Sequence, residues 1–260
     1  MKEEQLMKVV TFNIRRDCDG GTIQAFENRK PLIREKILAE KAALIGFQEV
    51  LPHMAQWLEE ALTGYCVLSC GRGAEFDDEA VTIAFRRDRF HLLGYRTFWL
   101  SPTEDIPGSR YAEQSEFARV CSVVTLQSRE TGKCIVLFNT HLDHVSESAR
   151  RKGIRKILDA IEKCPYPAIL TGDLNTFPGS AVAELIARSG LDLTDVTAHV
   201  GTTFHNYGDA AEKLDYICVS REWTCTSVCK WEDCRDGVYL SDHYPVCAEL
   251  ELAENGTKDE

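Results

Sequence analysis

Six apolar runs along this chain each stop on an acid, an amide or an imidazole. VVTFN ends at Asn13, LIGFQE at Glu49 and VLFNTH at His141; AILTGDLN carries Asp173 and Asn175, KLDY carries Asp215, and YLSDHYPV carries Asp242 and His243. A core has little use for such groups, because burying them without partners costs on the order of several kcal/mol each. Ligand sites in layered α/β folds gather where strand ends converge. The pattern therefore calls for a fold in which many strands open onto one shared edge.

The rest of the chain fits that demand. No repeat, low-complexity tract or Pro/Ser linker divides the 260 residues, so they read as one unit over 1–260 with a polar, frayed tail at 253–260. Strands are predicted at Lys8–Asn13, Ala43–Gln48, Tyr65–Ser69, Ala80–Arg86, His91–Trp99, Val120–Ser128, Lys133–Thr140, Ala168–Thr171, Lys213–Val219, Thr224–Lys230 and Val246–Leu252. Helices are predicted at Arg29–Glu40, His53–Ala61, Ser146–Lys163 and Ser180–Arg188. In the longest, Ile154, Ile157, Leu158 and Ile161 recur at the spacing of one buried face, behind Ser146 as N-cap. Central hairpin-like strands with helices toward both ends imply sheets packed on each other and covered by helices.

No apolar run reaches signal-peptide or membrane-span length. Eleven scattered cysteines, several inside apolar strands, read as reduced thiols of a cytoplasmic protein. Cys225, Cys229 and Cys234 lack a CxxC pair and a nearby histidine, which argues against a zinc site. The formal charge of -11 opposes long, salt-dependent tracking on duplex DNA, so no stable duplex partner and no membrane insertion are expected. Carboxylates, amides and two imidazoles at strand ends are suited to a divalent cation and a phosphate. Mg²⁺ favours one or two carboxylates plus water and substrate oxygens, and imidazoles donate to charge developing on a phosphoryl group.

The ordered series TFN, QEV, NTHL, GDLN, LDY and SDHYPV, from Asn13 to Val246, resembles the endonuclease/exonuclease/phosphatase superfamily. That superfamily includes deoxyribonuclease I, abasic-site endonucleases, neutral sphingomyelinases, inositol-polyphosphate phosphatases and poly(A) deadenylases. The resemblance implies an α/β four-layer sandwich, with two mixed, mostly antiparallel sheets face to face and helices on both outer faces. It implies Mg²⁺, with Mn²⁺ as substitute, on Glu49 with support from Asn13 and Asp242. It makes Asp173 the group that orients or deprotonates the attacking water, with Asn175 on the same face of an extended segment holding it and the phosphate. His243 becomes the phosphate-contacting imidazole and Asp215 its orienting partner. Shorter matches pair Glu79 with His141 and point Arg119 toward the phosphate.

These roles imply a metal-dependent phosphoric ester hydrolase in which water attacks phosphorus in line, most simply a phosphodiesterase. A nuclease acting on DNA or RNA is the alternative, and a non-catalytic phosphate-binding module the reading from a different class. A phospholipid hydrolase would show an exposed hydrophobic hairpin, which is missing from the sequence. The continuation TFPGS and the block THLDHVSESARRKGIRKIL resemble small bacterial members. Cations in the first turns of that helix oppose its dipole, which suggests Arg150 for an anionic substrate. The loop from Trp99 to Phe117, with Tyr111, reads as a lid or specificity wall. The acidic balance favours a small phosphate ester or a short nucleic acid.

Overall fold

The computed structural model describes residues 6–253, and the tail expected from 253 onward lies, apart from Ala253, outside the described residues. The strands are β1 Met7–Asn13, β2 Leu44–Gln48, β3 Tyr65–Leu68, β4 Ile83–Arg86, β5 Phe90–Trp99, β6 Val120–Ser128, β7 Cys134–His141, β8 Ala168–Asp173, β9 Thr194–Asp195, β10 Asp215–Val219, β11 Trp223–Lys230, β12 Cys234–Arg235, β13 Val238–Tyr239 and β14 Val246–Leu252. The helices are α1 Phe26–Glu40, α2 Pro52–Ala61, α3 Glu147–Glu162 and α4 Ala181–Ala187.

Two six-stranded sheets form, in the orders β11-β14-β1-β2-β4-β3 and β5-β6-β7-β8-β10-β9, beside a small β12-β13 hairpin. Among the described residues, only β1–β2 and β7–β8 pair in parallel. Each of these pairs is bridged by a helix, α1 or α3, as a parallel crossover requires. The sheets face each other across a core in which Val9, Leu44 and Phe85 of one meet Leu126, Leu137 and Ile169 of the other. Helices α1 and α2 cover the first sheet through Phe26, Ile33, Ile37 and Leu58. Helices α3 and α4 cover the second through Ile154, Ile157 and Val182. This is the four-layer sandwich that the resemblance implies.

The α3 face predicted from Ile154, Ile157, Leu158 and Ile161 is buried, and Ser146 caps the helix by accepting from the Ala149 amide at 3.2 Å. The expected strand from Ala80 shortens to β4, Ala80 making only isolated bridges to Val50 and Gly71. Strands β9, β12 and β13 were not expected, because two residues carry no periodicity.

A polar seam crosses the otherwise apolar space between the sheets. Asn139 on β7, fully buried, donates through Nδ2 to the carbonyls of Phe47 at 2.8 Å and Thr82 at 3.1 Å in the opposite sheet. Its Oδ1 accepts from Gln48 Nε2 at 2.8 Å and Thr171 Oγ1 at 3.1 Å. Both ends of the Asn139 amide are thereby partnered, while Gln48 Oε1 stays buried without a partner. Gly46 makes room for the seam: a Cβ there would lie 2.3 Å from Thr171 Oγ1 and 2.5 Å from Asn139 Oδ1.

Candidate active site

Strand register builds one wall of the site. His141 pairs with Asp173 across β7–β8, and Asp173 pairs with Asp215 across β8–β10, so the three form one row at the sheet edge. The other sheet sets Asn13 opposite Gln48, which leaves Glu49 just past the end of β2. Arg15, Glu49 and Asn175 each follow a strand end with positive φ, at 57°, 64° and 47°. Left-handed backbone is uncommon outside glycine and marks a constrained position. It corrects the expected geometry at Asn175. The segment is not extended there; the Asn175 amide turns back to donate to Asp173 Oδ1 at 2.9 Å, and Nδ2 donates to the Leu142 carbonyl at 3.0 Å.

The two walls meet around Asp173. Asn13 Nδ2 donates to Glu49 Oε1 and to Asp173 Oδ2, both at 3.0 Å. His243 Nδ1 donates to Asp215 Oδ2 at 2.8 Å, while its Nε2 lies 3.8 Å from Asp173 Oδ2. His141 Nε2 lies 3.5 Å from the same oxygen. The Asp242 carboxylate takes Arg15 Nη1 at 3.2 Å and the Ser241 hydroxyl at 3.0 Å. From α1, the fully buried Arg29 braces these loops by donating to the carbonyls of Ile14, Arg15 and Leu240.

Electrostatics separates the titratable groups. Burial pushes Asp173 up to about 7, Asp215 adding to the effect and His243 opposing it. Burial works against a charged His243, yet Asp215 and Asp173 outweigh it and lift the imidazole to about 10. His141 goes the other way, held well below the usual imidazole range by burial and by Arg119 and Arg72. Glu49 stays below the ordinary carboxylate range despite burial, because the Arg16 amide and Asn13 donate to it. Asp242 and Glu79 are raised, by burial first and also by the charge of Glu49.

The expected Glu79–His141 pair does not form. Glu79 instead takes Arg72 Nη1 at 3.0 Å and Arg16 Nη1 at 3.2 Å, and among the described residues Asp173 is the one carboxylate within ion-pair reach of His141. Arg119 does line the cleft. Arg150 and Tyr111 are absent from its lining: Arg150 Nη1 donates to the Asp143 carbonyl at 2.8 Å, and Tyr111 lies under Lys152 Nζ, 5.0 Å from its ring centroid. Of the predicted wall loop, only Phe117 faces the cleft; Trp99 is buried with its indole donating to the Arg72 carbonyl at 2.7 Å.

The cleft measures about 390 Å³ and brings together Glu49, Glu79, Arg119, His141, Asp173, Asn175, Asp242 and His243. Sequence reasoning missed Arg15, Arg16, Arg72, His144 and Phe204, which also line it. Arg15 and Arg16 are visible in hindsight as a basic pair directly after a polar strand end. Arg72, His144 and Phe204 stand in loops, where no periodicity marks them.

A divalent cation fits the donor set. The oxygens are hard, Glu49 repels both Asp242 and Glu79, and Asp215 repels Asp173, costs that a cation nearby would relieve. Asp215 Oδ1 is buried without a partner. Asp173, Asp215 and His243 also bring one ligand atom each within 4.8 Å of one another. There the charged state of His243 works against ligation, since only a neutral imidazole coordinates.

The chain belongs to the endonuclease/exonuclease/phosphatase family, whose profile matches residues 10–243 and whose members are hydrolases of phosphoester bonds. An endonuclease/exonuclease/phosphatase protein from Bacteroides vulgatus is 30% identical to it, with a TM-score of 0.89 and a match covering 95% of this chain and 99% of that one. A mannosyl-6-phosphatase from Bacteroides thetaiotaomicron is 26% identical, with a TM-score of 0.85 and coverage of 95% and 100%. The human Nocturnin catalytic domain shares the fold at 21% identity, with a TM-score of 0.78 and coverage of 96% and 94%. Among curated proteins none matches significantly. No helix among the described residues is long and apolar enough to cross a membrane.

Proposed function

We propose that this chain hydrolyses a phosphodiester by in-line attack of water, assisted by Mg²⁺. The observation that carries the reading is the row His141–Asp173–Asp215 facing Asn13 and Glu49, with His243 charged through Asp215. Asp173, raised toward neutrality, is poised to take the proton of the attacking water. Asn13 and the Asn175 amide orient its two oxygens. The His243 imidazolium and the neutral His141 donate to the phosphoryl oxygens. Glu49, with Asn13 and Asp242 beside it, is the ligand set for the cation, which when bound neutralises charge on the phosphoryl and leaving oxygens.

A nuclease is the second reading, and a specific observation favours it. Arg15, Arg16, Arg72 and Arg119 line the cleft beside Glu49, Glu79, Asp173, Glu212 and Asp242, so four guanidiniums nearly balance five carboxylates there although the chain as a whole carries -11. The mannosyl-6-phosphatase relative supports phosphate esters of small molecules.

The test is a Mg²⁺/Mn²⁺ activity panel of bis-p-nitrophenyl phosphate, sugar phosphates, glycerophosphodiesters, sphingomyelin and short oligonucleotides. Metal-dependent turnover of a diester is the expected result. Metal binding with no turnover on any of them would replace it with a non-catalytic phosphate-binding module.

A further inference from the structure

Helix α3 satisfies its charges on one flank and not on the other. Lys152 pairs with Glu113, and Lys156 pairs with Glu104 at 2.7 Å. On the flank toward α4, Arg151, Arg155, Leu158, Asp159 and Glu162 recur at i, i+4, i+7, i+8 and i+11, a single stripe along the helix. They line a groove of about 340 Å³ between α3 and α4, on the outer face of the second sheet. All four charged members of the stripe are exposed, and among the described residues none of them forms an ion pair or a side-chain hydrogen bond. Glu184 and Arg188, on the α4 side of the groove, are equally unpaired.

The order of these charges does nothing for an isolated α3. Like charges stand one turn apart, Arg151 with Arg155 and Asp159 with Glu162, and such neighbours repel. The basic residues lie toward the helix N-terminus and Glu162 is its last residue, so both ends oppose the macrodipole. Turned end for end, however, the stripe is its own complement. Its signs reverse about Ile157, with Arg155 and Asp159 two residues to either side and Arg151 and Glu162 further out. An antiparallel second copy sets Arg151 against Glu162 and Arg155 against Asp159, and two-fold symmetry makes each pair occur twice. Leu158 lies at the middle of the stripe, and Leu185 and Leu191, only partly buried, continue the apolar floor. The groove runs on past Glu162 and Leu191 into a further hollow of about 190 Å³.

We propose that the α3–α4 face is the interface of a symmetric homodimer, in which α3 of one copy lies antiparallel against the groove of the other. The groove shares no residue with the cleft, so both sites of the dimer stay open and the interface is independent of the hydrolytic reading.

Sedimentation equilibrium of the full chain tests it. The expected result is a reversible dimer in the micromolar range that weakens at least tenfold between about 0.05 M and about 0.5 M NaCl, as screening shortens the reach of the ion pairs. Arg151→Glu with Arg155→Glu makes the stripe wholly acidic, and Asp159→Lys with Glu162→Lys makes it wholly basic. Each double variant self-associates at least tenfold more weakly than the parent chain. Mixed in equal amounts the two form a heterodimer, and all four substitutions on one chain restore the homodimer. Circular dichroism checks that the variants are folded, and the salt dependence of the unsubstituted chain decides the matter if they are not. A chain that stays monomeric at millimolar concentration, or a dimer indifferent to salt, overturns the proposal. So do double variants that dimerise as well as the parent chain, or that fail to pair with each other.

Discussion

Asp173 gathers the contacts of the site in one side chain, with Asn13 and the Asn175 amide donating to it and His141 and His243 at 3.5 and 3.8 Å, and the proposed reading makes it the base. Below about 7 its carboxyl holds a proton and cannot take another, so kcat/KM climbs with pH through that value on the acid side. A cation nearby favours the ionised form, so saturating Mg²⁺ moves the acid limb to lower pH than limiting Mg²⁺ does. Asp173→Asn removes the limb and lowers turnover by about 10²–10⁴. Rate–pH profiles at two Mg²⁺ concentrations check this, and a limb that stays put, or a variant with full turnover, dismisses Asp173 as the base. Asp173 and Glu49 stood out in the sequence through the ordered series of polar strand ends and the resemblance it carries, since a single carboxylate after an apolar run is most often a solvated strand end. The ionisation of His141 did not. It is set by burial first and then by the guanidiniums of Arg119 and Arg72, which stand outside the strands, while Glu79 pairs with Arg72 and Arg16.

At the level of strands and helices, the apolar runs were long enough to reveal the main elements and the order in which their polar ends occur. What escaped was local backbone: the two-residue strands, and the left-handed turn that makes Asn175 fold back on Asp173. Side-chain alternation describes extended chain only, so it misplaces any residue one step past a strand end. Gly46 is a more demanding element than its ordinary setting in β2 suggests. Gly46→Ala would press a methyl group into Thr171 and Asn139 and cost about 1–3 kcal/mol, seen as a lower urea midpoint with little change in slope. An unchanged midpoint would mean that the sheets separate freely at this point.

The whole molecule carries a charge of -11, yet its cleft gathers both carboxylates and guanidiniums. Composition speaks for the average surface and not for the site, which is why it ranked substrates without choosing one. Crowded carboxylates make folding and cation binding reinforce each other. Mg²⁺ at a hundredfold excess over its Kd stabilises the fold by about 2.7 kcal/mol. At roughly 2–4 °C per kcal/mol for a chain of this size, Tm rises by about 5–10 °C in scanning calorimetry. Glu49→Gln removes most of that rise, and an undiminished rise would take the cation away from Glu49. The seam at Asn139 bears on this same scale. Glu49 and Asn13 ride on one sheet, His141 and Asp173 on the other, so the jaws of the site belong to separate slabs. Asn139 ties the slabs together behind the jaws, as the pin of a caliper does, so the gap between Glu49 and Asp173 is fixed from inside the core rather than at the cleft.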